Sequence, residues 1–359
     1  MIPVYKPYLP KHILRYAHDA LGSGWLSRGK YNALASEKLQ EILRVKHVLL
    51  TSNGTTAGHL VAIALKDCFG YNEIIMPNNV YVAAWNVYKY ENIKINIVDA
   101  NIKTWNFDYK LLDKAIRKNT DCAVGVVHNL GNIVNVPNLK QQYPNTMFVE
   151  DACEGFLGEY SGKPVGSESL SFVSFFGNKN ITSGEGGAVL INDTDIYEYL
   201  NCKHGQGQHF DDERFVHRML GYNYRMTNVQ AALLCGQLEC LDQIKENKKR
   251  VFDTYYKHLG SEFVLQETDP NTVSANWMLG IRVSGSNYKN AESLFSSRGI
   301  EIRPMFCDVG LHGHFGGIST FNNAYLLRRE CIVLPSYPEL TEDEIKYIVK
   351  TLKEYKENL

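Results

Sequence analysis

Short apolar runs alternate with helix-like stretches through the first two-thirds of the chain. Residues 47–51, 73–76, 93–98, 122–127, 147–149, 171–176 and 187–192 form apolar runs of strand length. Residues 57–65 and 108–118 between them have the length and apolar spacing of helices. Nearly continuous apolar strands joined by helices are typical of a parallel or mixed sheet covered on both faces. The pattern therefore predicts an α/β fold.

The pattern changes towards the C-terminal third. Thr227 is an N-cap residue type, and the residues after it predict one long helix running towards Lys249. Shorter elements follow, and the chain ends in an amphipathic stretch with Thr341 as its cap and Glu344 three positions later. We expect a large domain over residues 1–240 and a small α+β domain over residues 241–359.

Composition and charge restrict the class of protein. The 359 residues are 44% apolar and 21% charged, with a net charge of −1, so no electrostatic footprint for nucleic acid or an anionic membrane is present. The start of the chain lacks the apolar core of a signal peptide, and no stretch approaches the length of a membrane-spanning helix. The eight cysteines are scattered without a C-x-x-C pair, which favours reduced thiols. We expect a cytoplasmic protein with neither nucleic acid nor membrane as a partner.

Lys179 is the strongest candidate for chemistry. It follows one predicted strand, and Asp151 ends the strand before it. Pyridoxal phosphate (PLP) chemistry needs this pair, because a lysine amine forms a Schiff base with the cofactor aldehyde and a carboxylate keeps the pyridine nitrogen protonated. Taken alone, an ordinary surface lysine after a strand is the simpler interpretation.

A second candidate is the turn over residues 51–56, Thr-Ser-Asn-Gly-Thr-Thr, between a strand and a helix. Such a turn directs free backbone N–H groups at the positive end of a helix and can hold a phosphate. Gly54 would allow close approach, and Thr55 and Thr56 would add hydroxyls. A plain N-capping turn explains the same residues equally well. The chain has neither a G-x-x-x-x-G-K-[ST] nor a G-x-G-x-x-G motif.

These segments together resemble the DegT-type nucleotide-sugar aminotransferases, a PLP-dependent family with the aspartate aminotransferase fold (fold type I). The segments that carry the resemblance are residues 6–8, 22–29, 52–55, 77–84, 128–131, 150–154, 174–187, 221–232 and 334–338. Because these motifs span nearly the whole chain in order, the resemblance implies a large mixed seven-stranded-type sheet flanked by helices, with PLP as the cofactor.

The resemblance also implies residue roles. Lys179 would hold the cofactor and move protons, Asp151 would pair with the pyridine nitrogen, and Glu154 would lie near the ring hydroxyl. Tyr81 would stack on the ring, although Val80 stands where the family commonly has threonine. The implied cofactor set is Gly54, Thr55, Thr56, Tyr81, Asp151, Glu154, Ser174, Lys179 and Asn223.

Asn223 is implied to reach the phosphate of the neighbouring subunit's cofactor, which predicts a homodimer with shared active sites. Outside the resemblance, simpler interpretations stay open for four residues. Tyr81 could be a core aromatic, Glu154 a solvated charge, Ser174 a strand-end hydroxyl and Asn223 a turn former.

The substrate is expected to be a nucleotide-linked keto sugar, with L-glutamate as amino donor. Lys179 disfavours the dehydrating relatives, which carry histidine there. The string Ser-Phe-Phe-Gly-Asn-Lys with Gly-Glu-Gly-Gly resembles the branch that aminates C4 of 4-keto-6-deoxyhexoses, as perosamine and viosamine synthases do. The expected substrate-binding residues are Trp25, Leu26, Ser27, Asn178, Asn180, His209, His217, Arg218 and Arg303.

Three alternatives are weighed against this function. A C3-specific aminotransferase would share every catalytic residue, a PLP-binding regulator would lack the lysine and aspartate pair, and an NAD-dependent enzyme would need a glycine-rich fingerprint. The histidines at 204, 209 and 217 fit no tight ligand spacing, so no metal is expected. The nucleotide and the stereochemistry of the sugar stay open.

Overall fold

A computed structural model of the chain describes residues 1–209, 211–316 and 321–359. In this part of the chain the α-helices are α1 Leu14–Gly22, α2 Lys30–Leu43, α3 Gly54–Asp67, α4 Ala83–Tyr90, α5 Tyr109–Lys118, α6 Val136–Gln142, α7 Thr194–His204, α8 Asn228–Glu239, α9 Leu241–His258, α10 Tyr288–Ser297, α11 Asn322–Glu330 and α12 Glu342–Glu357. The strands are β1 His47–Thr51, β2 Glu73–Pro77, β3 Lys94–Val98, β4 Ala123–Val127, β5 Phe148–Asp151, β6 Glu159–Tyr160, β7 Lys163–Pro164, β8 Leu170–Ser174, β9 Gly187–Ile191, β10 Thr272–Val273, β11 Leu279–Arg282, β12 Arg303–Pro304 and β13 Cys331–Leu334.

A mixed seven-stranded sheet with the order β1-β9-β8-β5-β4-β2-β3 forms the centre of the N-terminal part. Strand β9 runs antiparallel to both of its neighbours, and the other pairs are parallel. Val48 and Leu50 belong to the apolar cluster on one face, while Leu49 belongs to the cluster on the other face. The predicted α/β fold is confirmed, because helices cover both faces as the apolar strand pattern requires.

The predicted single helix after Thr227 is wrong in its length. Thr227 caps α8 through a hydrogen bond from the Gln230 N–H to its hydroxyl at 3.2 Å, but the helix ends at Glu239. A second helix, α9, begins at Leu241, and the break lies at Cys240. Packing explains the break, because α8 is buried on the large sheet whereas the later turns of α9 are buried in the C-terminal core.

The C-terminal part is built on a three-stranded sheet of order β11-β13-β12. Its apolar core takes side chains from α9, α10 and α12. The capping box that begins α12 was predicted correctly: the Thr341 hydroxyl accepts from the Glu344 N–H at 3.3 Å, and the Glu344 carboxylate accepts from the Thr341 N–H at 2.9 Å. Two segments cross the proposed boundary at residue 240. Ile2 pairs with Ile300 beside the C-terminal core, and β10 pairs with β6. The domain division therefore stays a prediction.

Within the described residues, every helix is too short or too polar to cross a lipid bilayer.

Candidate active site

A cavity of about 490 Å³ opens at the carboxyl ends of the large-sheet strands. Residues just after or at the ends of β1, β2, β4, β5 and β8 line one side of it, and the C-terminal part closes the other side. The carboxyl ends of parallel strands meet at one sheet edge, which is where open α/β sheets bind ligands. The residues used below are Asn53, Gly54, Thr55, Tyr81, Asp151, Glu154, Ser174, Asn178, Lys179, Trp277, Arg303 and Phe306.

Lys179 extends into this cavity from the loop between β8 and β9. Its Nζ lies 3.9 Å from the centre of the Trp277 ring. The Trp277 indole N–H donates to the Asn178 carbonyl at 2.8 Å, and the Tyr5 hydroxyl donates to the Lys179 carbonyl. Asn180 is buried and donates its side-chain N–H to the Ala275 carbonyl at 2.7 Å. These bonds hold the backbone on both sides of Lys179, so the side chain enters the cavity from a fixed base.

Two carboxyl groups, the buried Glu154 and the half-buried Asp151, lie in the same cavity. Asp151 ends β5, and its Oδ1 accepts from the Cys153 N–H at 3.0 Å. Burial raises the pKa of Asp151, and the Lys179 charge acts against this rise. Glu154 accepts from the Leu130 N–H at 2.8 Å, and burial raises its pKa to about 7. One backbone N–H offsets only part of the cost of removing each carboxylate from water, so both groups favour a ligand that supplies a further cationic or N–H partner.

The start of α3 forms the other end of the cavity. Asn53 is its N-cap and accepts from the Thr56 N–H at 2.9 Å, while the Thr56 hydroxyl donates to the Asn53 carbonyl at 2.8 Å. Gly54 and Thr55 therefore occupy the first turn, where N–H groups have no partner within the helix. A Cβ on Gly54 would lie 2.6 Å from the Ser174 Cβ, so only glycine lets β8 approach the helix this closely. The arrangement is an anion cradle with a hydroxyl beside it.

Half of the predicted site residues line the cavity: Gly54, Thr55, Tyr81, Asp151, Glu154, Ser174, Asn178, Lys179 and Arg303. Tyr81 stands at its mouth, 59% exposed, with its ring 6.0 Å from that of Phe306. Arg303 is half-exposed and paired with Glu301 at 3.2 Å. The roles of these residues stay predictions, but the structure brings them together.

The other predicted residues are not among the cavity-lining residues: Thr56, Asn180, Trp25, Leu26, Ser27, His209, His217, Arg218 and Asn223. Thr56 and Asn180 are engaged in the local bonds described above. His217 bonds to the Gln206 carbonyl at 2.9 Å, and Arg218 pairs with Asp212. No group of three or more metal-ligating side chains is found among the described residues.

Trp25, Leu26 and Ser27 form an exposed loop that is bonded to the start of α8. Asn228, which begins α8, donates its backbone N–H to the Leu26 carbonyl at 3.0 Å and its side-chain N–H to the Trp25 carbonyl at 2.7 Å. Asn223 is itself exposed.

Apart from Arg303, sequence reasoning missed the residues that the C-terminal part contributes to the cavity, above all Trp277 and Phe306. Trp277 begins an apolar run that is typical of a core strand, and nothing local distinguishes it. Asn53 was also missed, although an Asn before Gly-Thr-Thr at a strand-to-helix turn is an N-cap signal that could have identified it.

The cavity residues fit PLP in chemistry. An amine, a buried carboxylate and a helix-start cradle match the aldehyde, the ring nitrogen and the phosphate of that cofactor. The close approach of Gly54 to Ser174 supports this fit. A side chain at position 54 would collide with Ser174, so the space for a phosphate at the start of α3 depends on glycine.

The chain is similar over nearly its whole length to proteins of one family. The model of the DegT/DnrJ/EryC1/StrS aminotransferase family matches residues 7–353. The GDP-perosamine synthases of Escherichia coli O157:H7 and Vibrio cholerae are each 32% identical to the chain. They align with 99% of it and with 98% and 99% of their own lengths, respectively. The crystal structure of the sugar aminotransferase CalS13 from Micromonospora echinospora superimposes with a TM-score of 0.89 at 22% identity, over 99% of this chain and 100% of that one.

The family match confirms the predicted resemblance and the aminotransferase class. The predicted PLP cofactor agrees with it, and the structural match confirms the fold.

Proposed function

Because this chain belongs to the DegT/DnrJ/EryC1/StrS aminotransferase family, we propose that it transfers an amino group from L-glutamate to the C4 ketone of a nucleotide-linked 4-keto-6-deoxyhexose. The product is the 4-amino-4,6-dideoxy sugar. The observation that carries the proposal is the meeting in one cavity of Lys179, the half-buried Asp151 and the Gly54 helix start. The chemistry of all three is that of PLP-dependent amino transfer.

The nucleotide in this proposal is GDP. Its support is that two full-length relatives at 32% identity are both GDP-perosamine synthases. A GDP-linked sugar carries two phosphate charges, and the half-exposed guanidinium of Arg303 at the cavity is a group that can pair with one of them.

PLP, when bound, withdraws electrons from the substrate carbon and makes its proton acidic. The Lys179 amine, held from a fixed backbone, takes that proton and returns it in the amination of the sugar. Asp151 supplies the negative charge that keeps the ring nitrogen protonated, and a cationic N–H partner offsets the cost of burying this carboxylate. Glu154, with its pKa near 7, can donate or accept a hydrogen bond at neutral pH.

The active unit in this proposal is a homodimer in which each subunit lends Asn223 to the other's site. The support is that Asn223 is exposed and that large apolar side chains in the segment before it, and in the Trp25 loop, are exposed as well. Trp25 is 70%, Phe215 78% and Leu220 80% exposed in the single chain. Large apolar side chains that a single chain leaves in water are of the kind found at interaction surfaces. Trp25, Leu26, Ser27, His217 and Arg218 would then meet substrate from the partner's side.

The experiment is a substrate panel. Purified protein loaded with PLP is incubated with L-glutamate and with GDP-, dTDP- and UDP-linked 4-keto-6-deoxyhexoses and a 3-keto sugar, and the products are read by mass and NMR. We expect the GDP-linked 4-keto sugar to gain nitrogen at C4. Lys179→Ala is the matched control and should form no product.

Two results would contradict the proposal. Nitrogen at C3 would make the protein a C3-specific aminotransferase. Absence of amination from every keto sugar, with PLP bound and with an authentic enzyme active in the same assay, would favour a PLP-binding regulator.

A further inference from the structure

Asn223 lies between two tyrosines whose rings stack on each other. The Tyr222 and Tyr224 ring centres are 4.8 Å apart with 15° between their planes. Alternate residues of an extended segment point to opposite sides, so rings that stack inwards direct Asn223 outwards, where it is exposed. The conformation of this tripeptide therefore decides where the Asn223 amide is presented.

His59 contacts both tyrosines of this pair. Its Nδ1 is joined to the Tyr224 hydroxyl by a hydrogen bond of 3.0 Å, and its Nε2 to the Glu91 carboxylate by one of 2.8 Å. The His59 ring also meets the edge of the Tyr222 ring at 5.2 Å. His59 is itself buried. Glu91, its other partner, is held in turn by Lys66, whose Nζ donates to the Glu91 backbone carbonyl at 2.6 Å.

The backbone of the same tripeptide is fixed from two further elements. The Tyr224 carbonyl accepts from the Ser52 N–H at 2.7 Å, at the turn that leads into α3. The Tyr222 N–H donates to the Lys203 carbonyl at the end of α7. Backbone hydrogen bonds thus fix the main chain of residues 222–224, while the His59 side chain contacts the Tyr222 and Tyr224 rings.

His59 belongs to α3, the helix whose first turn carries Gly54 and Thr55. One rigid helix thus holds the anion cradle at its start and, little more than a turn later, the histidine that fixes the Asn223 segment. In a dimer with shared sites the first feature serves the chain's own cofactor, whereas the second serves the partner's.

We propose that His59, through Tyr224, is a positioning residue for the active site of the other subunit. This inference rests on the proposed function, in which Asn223 reaches the partner's phosphate. It assigns α3 a contact with both sites of the dimer, one direct and one through the Tyr222–Tyr224 pair.

The experiment uses a heterodimer with a single reactive lysine and places the substitution in one chain or in the other. Heterodimers are purified through two different tags, and one chain carries Lys179→Ala, so the other chain holds the one reactive lysine. Tyr224→Phe, which keeps the ring and removes the hydroxyl, is placed first in the lysine-less chain and then in the lysine-bearing chain. The readout is the PLP concentration at which half of the lysine-bearing chain is covalently labelled after borohydride reduction, measured by intact mass.

We expect Tyr224→Phe in the lysine-less chain to raise this concentration about two- to tenfold, the range for one lost hydrogen bond. The same substitution in the lysine-bearing chain should leave it unchanged. His59→Gln should follow the same pattern, and combining it with Tyr224→Phe should add little, because both remove one contact.

Tyr197→Phe is the matched control. Tyr197 also stacks on a histidine, His47, with ring centres 4.4 Å apart, but it lies on α7, and its stacking partner belongs to β1 rather than to the Asn223 segment. It should have no effect in either chain. Thermal stability of each heterodimer shows that the variants fold.

Asn223→Ala in the same two positions separates the two hypotheses. If it acts from the lysine-less chain while Tyr224→Phe and His59→Gln do nothing, or act only from the lysine-bearing chain, the positioning role is wrong and the shared site stands. If Asn223→Ala itself has no effect from the lysine-less chain, the shared site fails and the positioning role fails with it.

Discussion

Lys248 offers a test of the electrostatics that hold the cavity wall. It lies in α9 with 1% of its surface exposed, and its Nζ donates to the Trp277 carbonyl at 2.7 Å and to the Ser336 carbonyl. Desolvation lowers its pKa to about 7. A neutral amine still has the two N–H donors that these carbonyls require. We predict that Lys248→Met removes a defined pH dependence of stability.

The sign follows from proton uptake. The pKa of lysine is about 10.4 in an unfolded chain, so unfolding binds a proton between pH about 7 and about 10.4. The free energy of unfolding therefore rises with pH across this window, and the gain is lost as the pH falls towards the folded pKa of Lys248. Each pH unit is worth about 1.4 kcal/mol, so the step from pH about 7.5 to about 9.5 adds about 2 to 3 kcal/mol.

The assay is urea unfolding of the PLP-free protein, followed by tryptophan fluorescence at both pH values after refolding has been shown to be reversible. The parent protein should gain about 2 to 3 kcal/mol over Lys248→Met between the two conditions. Lys249→Met is the matched control. Lys249 is the next residue of α9, exposed and paired with Asp253 at 2.5 Å, and should keep the parent's pH dependence.

Parallel pH dependences of the parent and Lys248→Met would refute this reasoning. Such a result would mean that the two carbonyls hold the ammonium form and that Lys248 keeps an ordinary pKa in the folded chain. The cavity wall at Trp277 would then be fixed by a buried charge rather than by a neutral amine.

Three further predictions concern the active site. Lys179→Ala should abolish turnover and leave the far-ultraviolet circular dichroism unchanged, because the lysine both holds the cofactor and moves the proton. Asp151→Asn should lower kcat by several orders of magnitude at saturating PLP, because an amide supplies no negative charge to the ring nitrogen. Gly54→Ala should weaken PLP binding about tenfold or more in a fluorescence titration, because its Cβ would lie 2.6 Å from that of Ser174. Gly22→Ala is the control for the glycine substitution, because a Cβ added at Gly22 would meet no neighbouring atom within 4 Å.

Each of these predictions has a contrary outcome. Near-normal activity of Lys179→Ala would remove the central lysine from the mechanism. A kcat for Asp151→Asn within about tenfold of the parent, less than about 1.4 kcal/mol of barrier, would remove the proposed ion pair. Equal PLP affinity for Gly54→Ala and Gly22→Ala would mean that the start of α3 is not the phosphate site.

The sequence by itself determined the strands of the large sheet, two helix caps and part of the polar lining of the cavity. Strands buried on both faces need nearly continuous apolar runs, so the large-sheet strands were identified to within one or two residues at most ends. The caps at Thr227 and Thr341 were readable because capping is a local hydrogen bond between residues three positions apart. Asp151 ends a strand, Gly54 begins a helix and Lys179 follows a strand, and the family resemblance was needed to prefer a chemical role for them over the simpler interpretations.

Only the tertiary structure decided what requires contact between distant segments. The break at Cys240 has no local signal, because α8 and α9 are both good helices and differ only in which core they pack against. Trp277 lies 98 positions from Lys179 in sequence, and its place over the lysine depends on how the C-terminal part folds back on the sheet edge.

The same holds for His59 and Tyr224, 165 positions apart. Local propensity acts over a few residues, whereas these contacts are set by the packing of whole elements. Half of the predicted site residues therefore line one cavity, whereas Asn223 and the Trp25 loop are exposed and are not among its lining residues. In the proposed homodimer, those residues would contribute to the active site of a second copy of the chain.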